Sequence, residues 1–335
     1  MNCCSKNNRV ALAFLLALTL GACHQPSNDG RLVVAVIPKG MTQEFWKSVQ
    51  AGANKAAQEL DVRIVWKGPT KQDDTDEQVG VMESMIVRGV NAIVVAPVDD
   101  VGLVAPIEDA MRQEIPVVII DSGLQSEQFV SFVATDNYQG GVVAAHHIAE
   151  LLDKKGKLIA LRNQIGSAST MNREAGFLDT LAKEYPDVEV ISSEQRAGST
   201  TAAAQQKAEQ LLGRFTTADG GFAADAIFTS CEPVTFGMLL AMQAVDLVGK
   251  VKHVGFDASP QLVRGLRAKH IDALIVQNPF RMGYDGVKTV CAHLKGESIE
   301  KRIDTGVHLV TPSNMDDPEN KELLEPELDR WLNSQ

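Results

Sequence analysis

No basic patch and no nucleic-acid-binding motif occurs in this sequence, whose 32 Lys and Arg are outnumbered by 43 Asp and Glu for a formal net charge of −11. A nucleic-acid backbone would find nothing to hold it, whereas a soluble binder of small neutral molecules fits. Catalytic signatures are missing as well. GxxxxGKS/T, GxSxG and HExxH do not occur, and no Rossmann GxGxxG follows the first strand-like run. His146 and His147 are adjacent in a helical pattern, so their rings diverge and cannot share a metal. Asp73, Asp74 and Asp76 have the look of a calcium loop, but the required glycine is absent and Val79 breaks the ligand register. A solvated acidic loop is the better reading, and no cofactor is called for. There is also no Gly/Ser- or Pro-rich linker, no solenoid repeat and no low-complexity segment.

What is present is 335 residues, 44% hydrophobic and 22% charged, enough for two domains. Lys6 and Arg9 precede an apolar run from Val10 to Leu20, too short to span a membrane, followed by Leu20-Gly21-Ala22-Cys23. This ending resembles a bacterial lipoprotein signal. It implies a signal peptide at 1–22, acylation of Cys23, a polar tether at 23–30, and a protein anchored by lipid in the periplasm or at the cell surface. Of the five cysteines, Cys3 and Cys4 would leave with the signal. Cys231 ends a strand-like run and Cys291 sits in a helical one, so both are expected to be free.

Beyond the tether two periods alternate. Short apolar runs (31–38, 62–66, 92–97, 116–121, 129–135, 157–163, 188–193, 226–230, 251–257 and 271–277) read as parallel strands covered on both faces. Helical segments separate most of them. In the first, Phe45, Val49, Ala53, Ala56 and Leu60 form one stripe. The pattern predicts an α/β protein with two Rossmann-like, doubly wound parallel sheets. The first crossing between the halves is expected at Asp136-Asn137.

In such sheets ligands sit beyond the carboxyl ends of the strands, where Asp121, Asp136, Cys231, Asp257 and Gln277 fall. Asp, Asn and Ser at these junctions also serve as helix caps, each worth about 1 kcal/mol. That reading suits Asp99 or Asp100, Ser259 and Asp136. Glutamine is a poor cap, so Gln277 points to a ligand. Trp46 lies about 100° off the apolar stripe by helical geometry and is expected to face away from the core as a stacking platform. Asp121 and Asp257 could act as an acid/base pair, but no electrophile, nucleophile or metal motif accompanies them.

Taken in order, several motifs resemble the periplasmic sugar-binding proteins of ABC importers, ribose-binding type. They are Phe45-Trp46, Arg88-Gly89-Val90-Asn91-Ala92-Ile93, Ile115-Pro116-Val117 to Asp121, and Ala134-Thr135-Asp136-Asn137. Arg173-Glu174-Ala175-Gly176-Phe177, Val254-Gly255-Phe256-Asp257 and Gln277-Asn278-Pro279 complete the set. The resemblance covers about residues 31–312. It implies no enzymatic activity and a ligand cleft between two lobes, 31–136 plus 278–306 and 137–277 plus 307–335. The lobes would be joined by a three-segment hinge at Asp136, Asn137, Asn278, Pro279 and Gly306. Phe45 and Trp46 would stack on a sugar face, while Asp121, Arg173, Asp257 and Gln277 would bind hydroxyls, with Gln43 and Cys231 beside them. The sequence departs from the pattern at Ser122, where arginine is frequent, at Cys231, where asparagine is expected, and at 197–200, which lacks an aromatic wedge. A monomer that delivers a monosaccharide or polyol to an ABC permease and its ATPase is the leading expectation. The alternative is a sensor that presents the liganded form to a membrane kinase or chemoreceptor.

Overall fold

Ten of the apolar runs become strands in the computed structural model, which describes Met1 and residues 30–333. Cys23, with nearly all of the leader and tether, lies outside the described residues. The first sheet contains β1 (Val33–Ile37), β2 (Arg63–Trp66), β3 (Ala92–Val95), β4 (Val117–Ile120) and β5 (Ser131–Ala134). The second contains β6 (Gly156–Leu161), β7 (Val188–Ser192), β8 (Ala226–Thr229), β9 (Lys252–Phe256) and β10 (Ala273–Val276). Each gains a sixth strand from the end of the chain, β11 (Arg302–Asp304) in the first and β12 (His308–Val310) in the second. The orders are β11-β5-β4-β3-β1-β2 and β12-β10-β9-β8-β6-β7, the same winding performed twice. All pairings are parallel except that of β10 with β12. Every residue of β3, β4, β8 and β10 is buried, as expected of strands covered on both faces.

Helices cover the first sheet with α1 (Glu44–Leu60), α2 (Thr75–Val87) and α3 (Val104–Arg112), and the chain then crosses into α4 (Asn137–Leu151). The second sheet carries α5 (Ala168–Glu184), α6 (Thr201–Arg214), α7 (Glu232–Ala244) and α8 (Pro260–Arg267), after which α9 (Pro279–Leu294) returns. Here α4 packs on α5 and α9 on α1, so each sheet takes a helix from the far side of a crossing. Glycines permit the approach. A Cβ on Gly283 would lie 1.9 Å from the Val49 carbonyl oxygen, and one on Gly176 would lie 2.1 Å from that of Tyr138.

Caps set several helix starts. Asp136 accepts from the Gln139 N–H at 2.9 Å and Ser259 from that of Leu262 at 3.4 Å, as the sequence indicates. Asp99 does not cap a helix. Its carboxylate accepts from the N–H groups of Val101 and Gly102, closing a turn ahead of α3. Cys231 and Cys291 are both free and buried. The chain's last part continues into α10 (Pro318–Leu324) and α11 (Asp329–Leu332). Leu324 is buried with Leu262 and Val263 against the second sheet's helices. The last helix departs from the expectation that groups 307–335 with that sheet, because it packs on α1. There Asn54 donates to the Trp331 carbonyl at 3.0 Å, and the Lys55 ammonium stands 5.7 Å from the Trp331 ring.

Candidate functional site

The two sheets present their carboxyl ends to a common chamber, and all eight candidate ligand residues line it: Gln43, Phe45, Trp46, Asp121, Arg173, Cys231, Asp257 and Gln277. Their placement follows from the repeated winding. Asp121 directly follows β4 and Asp257 directly follows β9, equivalent positions in the two sheets. Both residues have positive φ, 61° and 69°. Left-handed backbone at a non-glycine residue is strained and concentrates where structure serves a site. Here it turns each chain sharply out of its strand at the chamber.

The polar side chains are bonded to one another. Arg173, buried in α5, donates through Nε to Asn137 Oδ1 at 2.7 Å and through Nη1 to the Ser230 carbonyl at 3.1 Å. The same Nη1 lies 3.6 Å from Asp257 Oδ2, and the guanidinium rests on the Phe256 ring. Asp257 Oδ2 also accepts from the Glu232 N–H at 3.1 Å, while Oδ1 accepts from Gln277 Nε2 at 2.5 Å. Burial pushes the Asp257 carboxyl above its ordinary value, opposed by the charge of Arg173 and the bond from Gln277. Asn137, a hinge candidate, is therefore also the group that orients Arg173.

Lys39 was not among the predicted ligand residues, yet it dominates the other wall. It is 3% exposed, and its ammonium lies 2.8 Å from Asp121 Oδ2. It donates as well to Ser167 and Ser169 at 3.0 and 3.2 Å. Since Lys39 follows β1 and both serines lie at the start of α5, this side chain ties the two sheets together. Its position just beyond a strand end, after Pro38, was the available signal. Glu232 was missed too. Burial and the neighbouring Asp257 raise its carboxyl to about 7. Cys231 caps α7 without a side-chain bond, and burial pushes its thiol well above the usual range, so it enters the chamber as a neutral group.

Trp46 corrects an expectation. It is 2% exposed and belongs to the first sheet's core, because the segment after β2 folds over the start of α1. Its indole N–H donates to Gln72 Oε1 at 3.3 Å, so only part of the ring borders the chamber. Phe45, half-buried and edge-on to Trp46 at 4.9 Å between centroids, is the more available aromatic surface.

Two acceptors at this chamber have no partner: Gln43 Oε1 and Gln277 Oε1 are buried without a hydrogen bond. Orphaned amide oxygens are costly, about 1–3 kcal/mol each, unless something donates to them. The free volume among these groups is about 40 Å³, well below the roughly 300 Å³ at which small-molecule sites begin. The remaining hinge candidates lie at the crossings. Asn278 caps α9 by accepting from the Arg281 N–H at 2.9 Å, and Pro279 opens that helix. Gly306 has φ +85°, and its carbonyl accepts from Thr135 at 2.9 Å.

Comparison with known proteins adds three findings. Residues 34–298 match the model of the periplasmic binding protein domain. The ribose import binding protein of Haemophilus influenzae is 28% identical over 299 residues, covering 89% of this chain and 98% of that protein. A carbohydrate transporter solute binding protein from Agrobacterium radiobacter, solved with D-arabinose, is 31% identical, with a TM-score of 0.82 over 89% of this chain and 100% of its own. An ABC transporter solute binding protein from Agrobacterium vitis with bound D-fucose is 32% identical at the same TM-score, over 87% and 99% of the two chains.

Proposed function

The chain belongs to the periplasmic binding protein family, whose members bind solutes and are not enzymes, and from that premise we propose that it captures a monosaccharide for an ABC importer. Relatives that bind ribose, arabinose and fucose support the class of ligand. The observation that carries the reading is the chamber's donor and acceptor set. Three carboxyl groups, a guanidinium, an ammonium and two amide oxygens without partners converge beside one half-buried phenyl ring. Carboxylates and amide oxygens accept from hydroxyls, and cations and amide nitrogens donate to them, so each hydroxyl of a sugar can be satisfied twice. A micromolar complex needs only about 8 kcal/mol net.

In this reading the lobes are 31–136 plus 278–306 and 137–277 plus 307–335, with α11 lying back on the first. They turn about Asp136, Asn137, Asn278, Pro279 and Gly306, in the hinge closure around ligand that periplasmic binding proteins exemplify. Opening parts Lys39 from Ser167 and Ser169, and a sugar then takes over bonds the side chains now make with one another. Cys23 carries the lipid that keeps the mature protein at the membrane, beside the permease and its ATPase.

Thermal shift and calorimetry over a panel of pentoses, hexoses and pentitols test the ligand class. One tight ligand per chain, recovered chemically unchanged, is expected. No binding across the panel would overturn the reading. Mass spectrometry of the mature N-terminus tests the anchor: an acylated Cys23 supports it, and an unmodified residue removes it.

A further inference from the structure

A second cavity of about 430 Å³ opens beside the chamber, and Phe45, Asp257 and Gln277 line both. Its size falls within the range of about 300–1,000 Å³ typical of small-molecule sites, whereas the chamber alone does not. Four parts of the molecule enclose it: the start of α1, the segment from Asp257 into α8, the passage from β10 into α9, and the C-terminal segment from the end of α10 to α11. That last segment is held at both ends. Leu324 is buried on the second sheet's side, and the Trp331 carbonyl is bonded to Asn54 of α1. The chain between them spans the cleft and walls the cavity with Leu324, Pro326 and Leu328.

We propose that this cavity receives an apolar substituent on the sugar, so that the ligand is a glycoside with its ring in the chamber and its aglycone under the C-terminal segment. The inference rests on the monosaccharide reading and extends it. The chemistry of the walls decides the class. Val263, Val276, Pro279, Leu324 and Leu328, with the Phe45 ring, supply carbon surface. Of the charged groups at the rim, Glu44 pairs with Lys47 at 2.8 Å, and Arg267 with Asp316 at 3.2 Å and Glu325 at 3.8 Å. Arg264 is exposed at the surface of α8. Most of the named wall is carbon, and an alkyl or aryl group placed against it gains by leaving water. Gln277 marks the junction. Its amide nitrogen is committed to Asp257, and its unpartnered oxygen remains to accept from a ring hydroxyl.

Calorimetry with paired methyl and hexyl glycosides of D-ribose, D-arabinose and D-fucose, alongside the free sugars, tests this on the full mature protein. For the best-bound sugar, the hexyl glycoside is expected to bind at least tenfold more tightly than the methyl one. Leu328→Trp, a half-buried position on the C-terminal segment, should fill the cavity and abolish that advantage while leaving the methyl glycoside within about twofold of wild type. Circular dichroism establishes that the variant is folded, and Val263→Phe provides a second obstruction from the α8 side. Equal affinity for the two glycosides, or rejection of both while the free sugar binds, would overturn the glycoside proposal alone. Failure of every sugar and glycoside would overturn the monosaccharide reading and the extension with it.

Discussion

Gln277 and Glu232 show how much of the chemistry rests on single side chains. Gln277 is 1% exposed, with one amide atom bonded and the other unpartnered. Truncation to alanine removes the orphan together with a donor to Asp257. For Gln277→Ala we expect affinity for the tightest panel sugar to fall between about fivefold and about a hundredfold, matching a loss of about 1–3 kcal/mol. The melting temperature should change little, and unchanged affinity would remove Gln277 from the site. Glu232 governs a pH effect. Its folded carboxyl titrates near 7, against an ordinary 4.5, so between those values the folded state holds more protons than the unfolded one. Stability from this group is therefore complete below about pH 4.5 and is lost as pH rises to about 7. Burial lowers His253 to about 3 from an ordinary 6.5, which acts oppositely: its contribution is present above 6.5 and is lost as pH falls toward 3. The two offset each other between about pH 4.5 and 6.5. Glu232→Gln should uncover the histidine limb, giving stability that rises with pH through that window and exceeds wild type at pH 8 by up to about 3 kcal/mol. Urea denaturation at several pH values measures it.

Among the elements, the paired helices make the sharpest claim. Gly283 and Gly52 let α9 and α1 touch backbone to backbone, and a methyl on Gly283 has no room. Gly283→Ala should cost about 3 kcal/mol, at the upper end of ordinary overpacking. Gly80, inside α2 with nothing within 4 Å of the place a Cβ would take, provides the contrast, since alanine there should stabilise by up to about 1 kcal/mol. Chemical denaturation of the two variants distinguishes close packing from general glycine effects. At this scale the sequence is most readable. Unbroken apolar runs, the mark of burial on both faces, located ten strands to within a few residues, and period-3.6 patterning located α1 to the residue. β11 escaped because Arg302-Ile303-Asp304 is three residues long, with both outer side chains exposed. Trp46 escaped for a different reason: helical phase places a side chain relative to its own helix, but the cover came from Gln72, in another loop. Lys39 stood at the correct strand end, yet its partners lie 128 and 130 residues away. No local pattern specifies such a contact. The carboxylates and amides at strand ends were legible because topology brings every one of those ends to the same place.

On the scale of the whole molecule, the repeated winding and its exchanged helices bear on how the chain reaches this state. The first core uses β1 to β5 but is closed by α9 and β11, and the second is closed by β12 and the buried Met315 and Leu324. A fragment ending at Gln277 would carry all ten long strands and still leave Val49 and Ala53 of α1 uncovered. It should bind a hydrophobic dye and melt without a cooperative transition, whereas the mature chain melts sharply; a cooperatively folding fragment would refute the claim. The exchange of α4 and α9 also acts in time. A chain emerging N-terminus first cannot complete its first sheet until residue 304 is free, more than two hundred residues after β1 appears. Contacts so distant in sequence form slowly, since closing a long loop must precede any gain from it. The exchanged helices thereby make the completion of the first core one of the last events in the folding of the chain, so that the connections between the two sheets also set the order in which they close.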